Sequence, residues 1–546
     1  MQLQGQHILI LGLGASGLAM ARWCVHQGAE VTVADTREQP PQIGVLQTVC
    51  PSARFVAGPF TAALVEGTSV RAVFRSPGLA PGVVAPVVDA ARTMGLWQGG
   101  ELSLFAQALQ SLNNQYGYAP QVLAITGTNG KTTVTSLTGQ LVARAGKTVK
   151  VAGNIGPCLL DTLSEALAQA QGDAQALAQG EREADDVEAL EAEGTTQTPA
   201  PQPAASLSAM ARVLPQVWVL ELSSFQLDSS DGFEPSAATV LNVSQDHLDW
   251  HGSMAAYAAA KARIFGQQGL MVLNREDAQV LAMRPEPIPV KLHKPMERHC
   301  VMFGGDMPQR PGDYGIEVLN GMAWLVRALE ADETRKRRKG EEEELFIQRL
   351  MPADALRIRG RHNAVNALAA LALAHSAGCA LGPMLYGLRE YRGEPHRVEP
   401  VATVNEVEYF DDSKGTNVGA TVAALQGLGA DRRVVVILGG DGKGQDFSPL
   451  LEPVSRHARA VVLMGRDASL IQTALGACVV PMHAAQSLQA AVQLASELAQ
   501  AGDAVLMSPA CASFDMFENY EHRAQVFTDA VKKLAEQAGV SLEGAL

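Results

Sequence analysis

Lys131 stands between a glycine turn and two hydroxyls, in Thr126-Gly127-Thr128-Asn129-Gly130-Lys131-Thr132-Thr133, and each of these residue types has a use on a phosphate. The apolar run before it (121–126) reads as a strand and the amphipathic stretch through Ala143 as a helix. The turn then lies on a helix N-terminus, where free backbone N–H groups surround anionic oxygens. Lys131 can reach the β and γ phosphates of a nucleotide, and Thr132 can hold Mg²⁺. The loop is shorter than a common P-loop, because the usual first glycine falls at Ile125. The competing reading is a glycine turn with no ligand.

A second glycine series, Gly12, Gly14 and Gly17, follows the apolar run from His7 to Leu11 and precedes Asp35 at the end of the next strand. Its spacing fits a diphosphate on a helix N-terminus with Asp35 near a sugar or base, and it does not separate NAD from another nucleotide diphosphate. Ser76-Pro77-Gly78 ends a further strand of the same unit, where such sheets hold ligands. Beyond the phosphate loop, Glu221 closes an apolar strand, Asp246-His247-Leu248-Asp249 closes another, and Lys261 sits in an alanine-rich helix. A carboxylate at such a strand end suits a hard metal ion. Taken singly, each of these side chains has an ordinary structural reading as well.

To bring such residues together the chain needs strands that deliver them to common edges. Strand, turn and helix patterns start afresh near residue 7, near 121 and after Arg392. The length, 546 residues, exceeds one ordinary core. The expected class is α/β, with three doubly wound domains: a Rossmann-like unit at 1–112, a P-loop ATPase-like unit at 113–392 and a second Rossmann-like unit at 393–546. Residues 161–212 are rich in Ala, Gln, Glu, Thr and Pro, and residues 330–344 carry dense charge of both signs. Both read as surface insertions, and removing residues 165–210 is expected to leave folding and turnover largely intact.

A net charge of -14 argues against general nucleic-acid binding. No apolar run is long enough to cross a bilayer, and the first residues lack the basic flank of a signal peptide. The seven scattered cysteines suit a reducing compartment. A cytoplasmic location is expected.

The series from Gly127 to Thr133, Gly153-Asn154-Ile155-Gly156, Glu221 to Leu227, Asp246-His247-Leu248-Asp249, Lys261 and His362-Asn363-Ala364-Val365-Asn366 resembles the Mur ligases of peptidoglycan synthesis over nearly the whole chain. Four C-terminal segments resemble the D-glutamate-adding branch of that family: Glu394-Pro395-His396-Arg397-Val398, the run from Asp411 to Asn417, the run from Gly439 to Gly444, and the run from Ser508 to Tyr520. No Asp-Asn-Pro-Arg element of the diamino-acid-adding branch is present. The loop has Lys131-Thr132-Thr133 where the family often has Lys-Ser-Thr, and Tyr520 stands where Phe is expected.

The resemblance implies an ATP- and Mg²⁺-dependent ligase that joins D-glutamate to UDP-N-acetylmuramoyl-L-alanine through an acyl phosphate. It implies ATP contacts from Gly127, Thr128, Asn129, Gly130, Lys131, Thr132, Thr133, Asn363, Asn366, Arg397 and Asp412. It implies UDP-substrate contacts from Gly14, Ser16, Asp35, Thr36, Arg37, Ser76, Gly78 and Asn154. Thr416, Lys443, Ser513 and Tyr520 would meet D-glutamate, and Lys131, Glu221, His247, Lys261 and Lys414 would be catalytic. Magnesium would be held by Thr132, Glu221, His247 and Lys261, the last as a carbamate. A nicotinamide oxidoreductase, a nucleotide-driven switch or motor, and another amino-acid-adding Mur ligase are the alternatives.

Overall fold

A computed structural model describes residues 3–191, 208–289, 295–331, 344–430 and 432–540. Three mainly parallel sheets organise these residues. In the first, the strand order is Arg54–Ala57, Glu30–Asp35, His7–Leu11, Val70–Arg75, Trp97–Gly99, all parallel. A parallel strand is covered on both faces, so its apolar run need not alternate with polar residues. In His7–Leu11, Ile8 and Ile10 enter one core, while Leu9 and Leu11 enter the core on the opposite face.

The second sheet runs Cys300–Phe303, Leu270–Asn274, Ala237–Val240, Gln121–Thr126, Val217–Glu221, Val149–Gly153, again all parallel. Its register sets the chemistry. Ile125 pairs with Glu221, and Gly153 pairs with the same Glu221, so the phosphate turn, the acid and Asn154 leave the sheet at one edge. The third sheet runs Glu399–Val404, Val407–Asp411, Ala504–Met507, Val434–Gly439, Ala458–Met464, Met482–Ala484, and only the pairing of its first two strands is antiparallel. The α/β class holds.

The expected boundary at 112 falls inside the helix Glu101–Tyr116, and the boundary at 392 lies between the helix Leu381–Glu390 and the strand Glu399–Val404. An antiparallel sheet of Tyr314–Leu319, Met322–Glu330 and Leu345–Pro352 adds to the middle of the chain. Its last two strands flank the charged run 330–344, of which residues 332–343 lie outside the described residues. Among the described residues no helix is long and apolar enough to cross a membrane.

The insertion expected at 161–212 needs correction. Leu159–Glu191 is one helix, hereafter the bridging helix, and Leu159, Leu160, Leu163, Ala166 and Ala170 are all in the core. They recur at three- and four-residue spacing, which makes one apolar stripe, and composition alone hides that stripe among alanines and glutamines. The helix lies against Ala15–His26 and Glu101–Tyr116 of the first unit and Ala209–Val213 after it, and Met210 is buried as well. Residues 192–207 lie outside the described residues. Removing 165–210 is therefore expected to destabilise the protein, since Ala166, Ala170 and Met210 go with it. Leu163→Ala tests the stripe by itself: a fully buried leucine lost from a helix interface should lower unfolding free energy by about 3 kcal/mol in denaturant titration, and an unchanged midpoint would contradict the packing.

Candidate active site

Gly130 caps the helix Lys131–Arg144 with a φ of +83°, a conformation costly for any residue with a Cβ. Space enforces the choice too, because a Cβ on Gly130 would meet Asn366 Oδ1 at 2.9 Å. Lys131 curls over its own turn, with Nζ donating to the carbonyls of Gly127 and Thr128 at 2.9 Å each. Burial, reinforced by the cations Arg397 and Lys414 and opposed by Glu221 and Asp246, lowers its pKa. Asn129 N–H donates to Asn242 Oδ1 at 2.8 Å, and Ser244 N–H donates to Thr128 Oγ1 at 3.0 Å. The loop is thus held in shape from the neighbouring strand end. Thr133 is buried on the same helix.

Glu221 is 1% exposed. Its Oε1 accepts from Asn154 Nδ2 at 2.7 Å, while Oε2 is buried with no hydrogen-bond partner among the described residues. Gly153 is a necessary glycine beside it: a Cβ there would lie 2.3 Å from the Glu221 carbonyl oxygen. His247 has a φ of +55° and packs edge-on against Phe225. Burial lowers its pKa against the pull of Asp246, with Lys131, Lys443 and Lys261 adding to the depression, so the imidazole is neutral and its nitrogen lone pair is available. Lys261 is 1% exposed; its Nζ donates to the Gly127 carbonyl at 2.8 Å and lies 4.6 Å from the centre of the Tyr257 ring. Burial and the nearby Lys131 charge lower its pKa well below the ordinary value, with Asp246 opposing. An unpaired buried carboxylate oxygen is costly unless something satisfies it. A carboxylate, an imidazole and the Thr132 hydroxyl are donor types that fit a hard divalent cation.

The third unit contributes Arg397. It sits between His396 and Val398, whose φ values are +62° and +51°; the left-handed conformation is rare for a β-branched residue, and such strain persists where the surroundings fix it. Arg397 Nη2 donates to Thr132 Oγ1 at 2.7 Å, and its Nε is buried without a hydrogen-bond partner among the described residues. Asn129 and Asn417 exchange amide hydrogen bonds at 3.2 and 3.0 Å. Asn417 also caps the helix Val418–Leu428. These contacts clasp the third unit onto the phosphate loop. Asp412 accepts from Ser508 Oγ at 2.6 Å, and burial, opposed by that bond and by Arg397, pushes its pKa to about 7. Lys414 Nζ lies 5.3 Å from the Tyr520 ring centre, and burial together with Arg397 lowers its pKa. His396 Nδ1 is 2.7 Å from Asp411 Oδ2.

Other expected residues are less closely joined. Asn363 Nδ2 donates to the Arg359 carbonyl, and Asn366 Nδ2 donates to Asn363 Oδ1, both on the helix Arg361–Ser376 that faces Gly130. Thr416 is half-buried, Ser513 buried and Lys443 exposed on loops of the third unit; none of their side chains makes a described hydrogen bond to the phosphate loop. In the first unit Gly12, Gly14 and Gly17 form the turn into Ala15–His26, and a Cβ on Gly17 would lie 2.0 Å from the Gly12 carbonyl. Asp35 is engaged by the protein itself. It accepts from Leu13 N–H at 2.7 Å and from Arg37 Nε and Nη2 at 2.8 Å each; burial would raise its pKa, but these bonds bring it down to about 2. Thr36 and Gly78 are exposed, and Ser76 N–H donates to the Leu11 carbonyl at 2.8 Å.

Sequence reading assigned no role to Asn417, Tyr257, Asn242 or Ser244. Tyr257 lies four residues before Lys261, which puts both on one helix face and was the available signal. Asn417 carried none, since its partner Asn129 is 288 residues away in the chain.

Family models match the three parts of the chain. The Mur ligase MurD-like N-terminal domain matches residues 6–97, the Mur ligase middle domain 125–294, and the Mur ligase glutamate ligase domain 396–511. The UDP-N-acetylmuramoylalanine–D-glutamate ligase of Albidiferax ferrireducens is 65% identical over 543 residues, covering 100% of this chain and 99% of that protein. The protein of the same name from a Polaromonas species is 56% identical, covering 99% of this chain and 100% of that one. Among solved structures, UDP-N-acetylmuramate-alanine ligase from Thermotoga maritima, at 18% identity, covers 96% of this chain and 99% of that chain with a TM-score of 0.50. A pseudomurein peptide ligase type C from Methanothermus fervidus, at 16% identity, covers 97% and 100% with a TM-score of 0.50; these two likenesses concern the fold alone. With relatives this similar over its whole length, the chain belongs to the Mur ligase family.

Proposed function

We propose that this chain joins D-glutamate to UDP-N-acetylmuramoyl-L-alanine at the expense of ATP, a step in making peptidoglycan precursors. The observation that carries the reading is full-length identity of 65% to a ligase of that name. The meeting of the Lys131 loop with Arg397 of the third unit through Thr132 supports it, because a ligase must close an amino-acid-bearing unit onto its nucleotide.

A carboxylate and an amine do not condense in water, so the carboxylate oxygen first takes the γ-phosphoryl group of ATP and ADP departs. The amine of D-glutamate then attacks the acyl carbon and gives up a proton, and phosphate leaves with the former carboxylate oxygen. Catalysis of both steps is positioning and charge balance. We assign Gly127 through Thr133 to the phosphates, with Lys131 turning from its loop carbonyls to them, and Arg397 and Asp412 to the nucleotide from the third unit. Asn363 and Asn366 flank its base. Glu221, His247, Thr132 and Lys261 as a carbamate would hold Mg²⁺, which when bound supplies charge neutralisation on the phosphate oxygens. Lys414, Thr416, Lys443, Ser513 and Tyr520 are assigned to the amino acid, whose two carboxylates suit two lysines and hydroxyls. Gly14, Ser16, Asp35, Thr36, Arg37, Ser76, Gly78 and Asn154 are assigned to the UDP substrate; Asp35 would act there chiefly by fixing Arg37 and the Gly12–Gly14 turn. The reaction is placed in the cytoplasm.

The test is phosphate release from ATP with Mg²⁺ and UDP-N-acetylmuramoyl-L-alanine across a panel of amino acids. Strong stimulation by D-glutamate is expected, with little from L-glutamate, L-alanine or meso-diaminopimelate. Equal stimulation by L-alanine would overturn the assignment.

A further inference from the structure

Three helices begin at one place. Ala15–His26 starts at Gly14, Glu101–Tyr116 starts at Gly100, and the bridging helix starts at Leu159. Their unpaired N–H groups and aligned dipoles favour a negative charge there. The group supplied is Glu101, which is 2% exposed. One oxygen, Oε1, accepts from Leu160 N–H of the bridging helix at 3.0 Å. The other, Oε2, is buried with no hydrogen-bond partner among the described residues. The Ser16 hydroxyl, on the first turn of Ala15–His26, is near enough to favour the ionised form of Glu101. Cys158 also faces Ser16.

The remaining charges around Glu101 are accounted for. Asp161 of the bridging helix opposes ionisation of Glu101, and is itself tied to Arg22 of Ala15–His26 at 2.7 Å. Glu165 bears on Asp161 from one turn further along. From Glu101's own helix, Ser103 faces Gly100 and carries no charge.

We propose that Glu101 is a positioning residue for the anionic nucleotide substrate, setting whether the Ser16 hydroxyl in front of it is free to bind the substrate's diphosphate. The proposal rests on the reading that Gly14 and Ser16 hold UDP. An ionised Glu101 draws the Ser16 hydrogen toward itself and presents a negative charge behind a site meant for an anion. A protonated Glu101 has on Oε2 a hydrogen to donate, which releases the Ser16 hydrogen for a phosphate oxygen. Burial raises the Glu101 pKa to about 7, against the bonds from Leu160 and Ser16, so both forms are within reach near neutrality. A bound diphosphate raises that pKa further, so binding takes up a proton. Affinity is then highest below the pKa of the free enzyme, falls as pH rises through it, and levels off above the pKa of the complex.

The experiment is titration calorimetry of UDP-N-acetylmuramoyl-L-alanine binding in buffers of different ionisation heat, with KM measured across the neutral range. The wild type should take up protons on binding, and its KM for this substrate should rise about threefold or more with pH, equivalent to a pKa displacement of about half a unit. KM for ATP and for D-glutamate should not follow. Glu101→Gln, neutral at every pH and able to donate to Ser16, should keep the low KM and show neither proton uptake nor the rise. Glu101→Asp should restore a pH dependence with a displaced midpoint. Wild-type binding without proton uptake would overturn the proposal whatever the variants do, as would the same pH dependence in Glu101→Gln. Absence of binding in the wild type would remove the nucleotide reading and the proposal with it, and a Glu101→Gln protein that no longer binds while the wild type does would overturn the proposal alone.

Discussion

Lys131→Ala is expected to reduce turnover by about 10³-fold or more while the protein stays folded. Removing one well-placed donor from developing charge costs about 10²–10³ in rate, and Lys131 would supply a full positive charge to phosphates whose negative charge is the main obstacle to transfer. Its Nζ is held by two carbonyls of its own turn, so it reaches the phosphates by exchanging those acceptors for stronger, charged ones. Loss of the side chain leaves the Gly127 and Thr128 carbonyls short of a donor. Gly127 retains Lys261 as a partner, and the turn keeps its bond to Asn242 and the bond it accepts from Ser244. Stability should therefore change by no more than about 1 kcal/mol, the usual net worth of such bonds. Phosphate release together with thermal unfolding checks both halves. A variant with more than a tenth of wild-type turnover would remove Lys131 from the phosphates.

The elements that carry this chemistry were legible because their signals are local. The phosphate turn is one contiguous run, and Glu221 and His247 follow apolar strands that could be read in order. The register that brings Glu221 beside both Ile125 and Gly153 was not legible, since it depends on strand order in the sheet. Nor was the clasp between Asn129 and Asn417, because two amides far apart in sequence have no spacing to read. The bridging helix was misread for a different reason. Its buried positions are mostly alanine and leucine at helical spacing, inside a segment whose average composition is that of a solvated one, and the average concealed the stripe. The antiparallel sheet did leave a sign. Asn320 and Gly321, with φ of +51° and +79°, turn Tyr314–Leu319 into Met322–Glu330, and Asn-Gly between apolar runs is a hairpin signal. The bonds of the Asp35 carboxylate to Arg37 and to Leu13, 22 residues earlier, were not legible either.

Lys261→Ala is expected to abolish most turnover, by about 10²-fold or more, and small carboxylic acids added to the variant should restore part of it. The side chain is enclosed, with a carbonyl, a hydroxyl at 3.4 Å and the Tyr257 ring as its neighbours and, among the described residues, no carboxylate hydrogen-bonded to it. An ammonium so placed loses hydration, which the nearby Asp246 charge offsets only in part, and Lys131 adds repulsion. Both effects favour the neutral amine, which is the form that attacks CO₂. The nitrogen lone pair bonds to carbon, one proton leaves, and the product is an N-carboxylate anion with two oxygens. The modification thus converts a group that would repel Mg²⁺ into one that resembles its preferred oxygen ligands. It would also add to the negative charge that Glu221 offers a metal ion. Acetate or formate in the space left by Lys261→Ala would offer the same oxygens without the tether, which is why rescue should be partial and saturable. Carbon-13 NMR of the wild type under labelled CO₂ gives a readout independent of activity: a carbamate resonance is expected, and it should vanish in Lys261→Ala. Wild-type turnover in that variant would remove Lys261 from the reaction, and no labelled resonance in the active enzyme would overturn the carbamate.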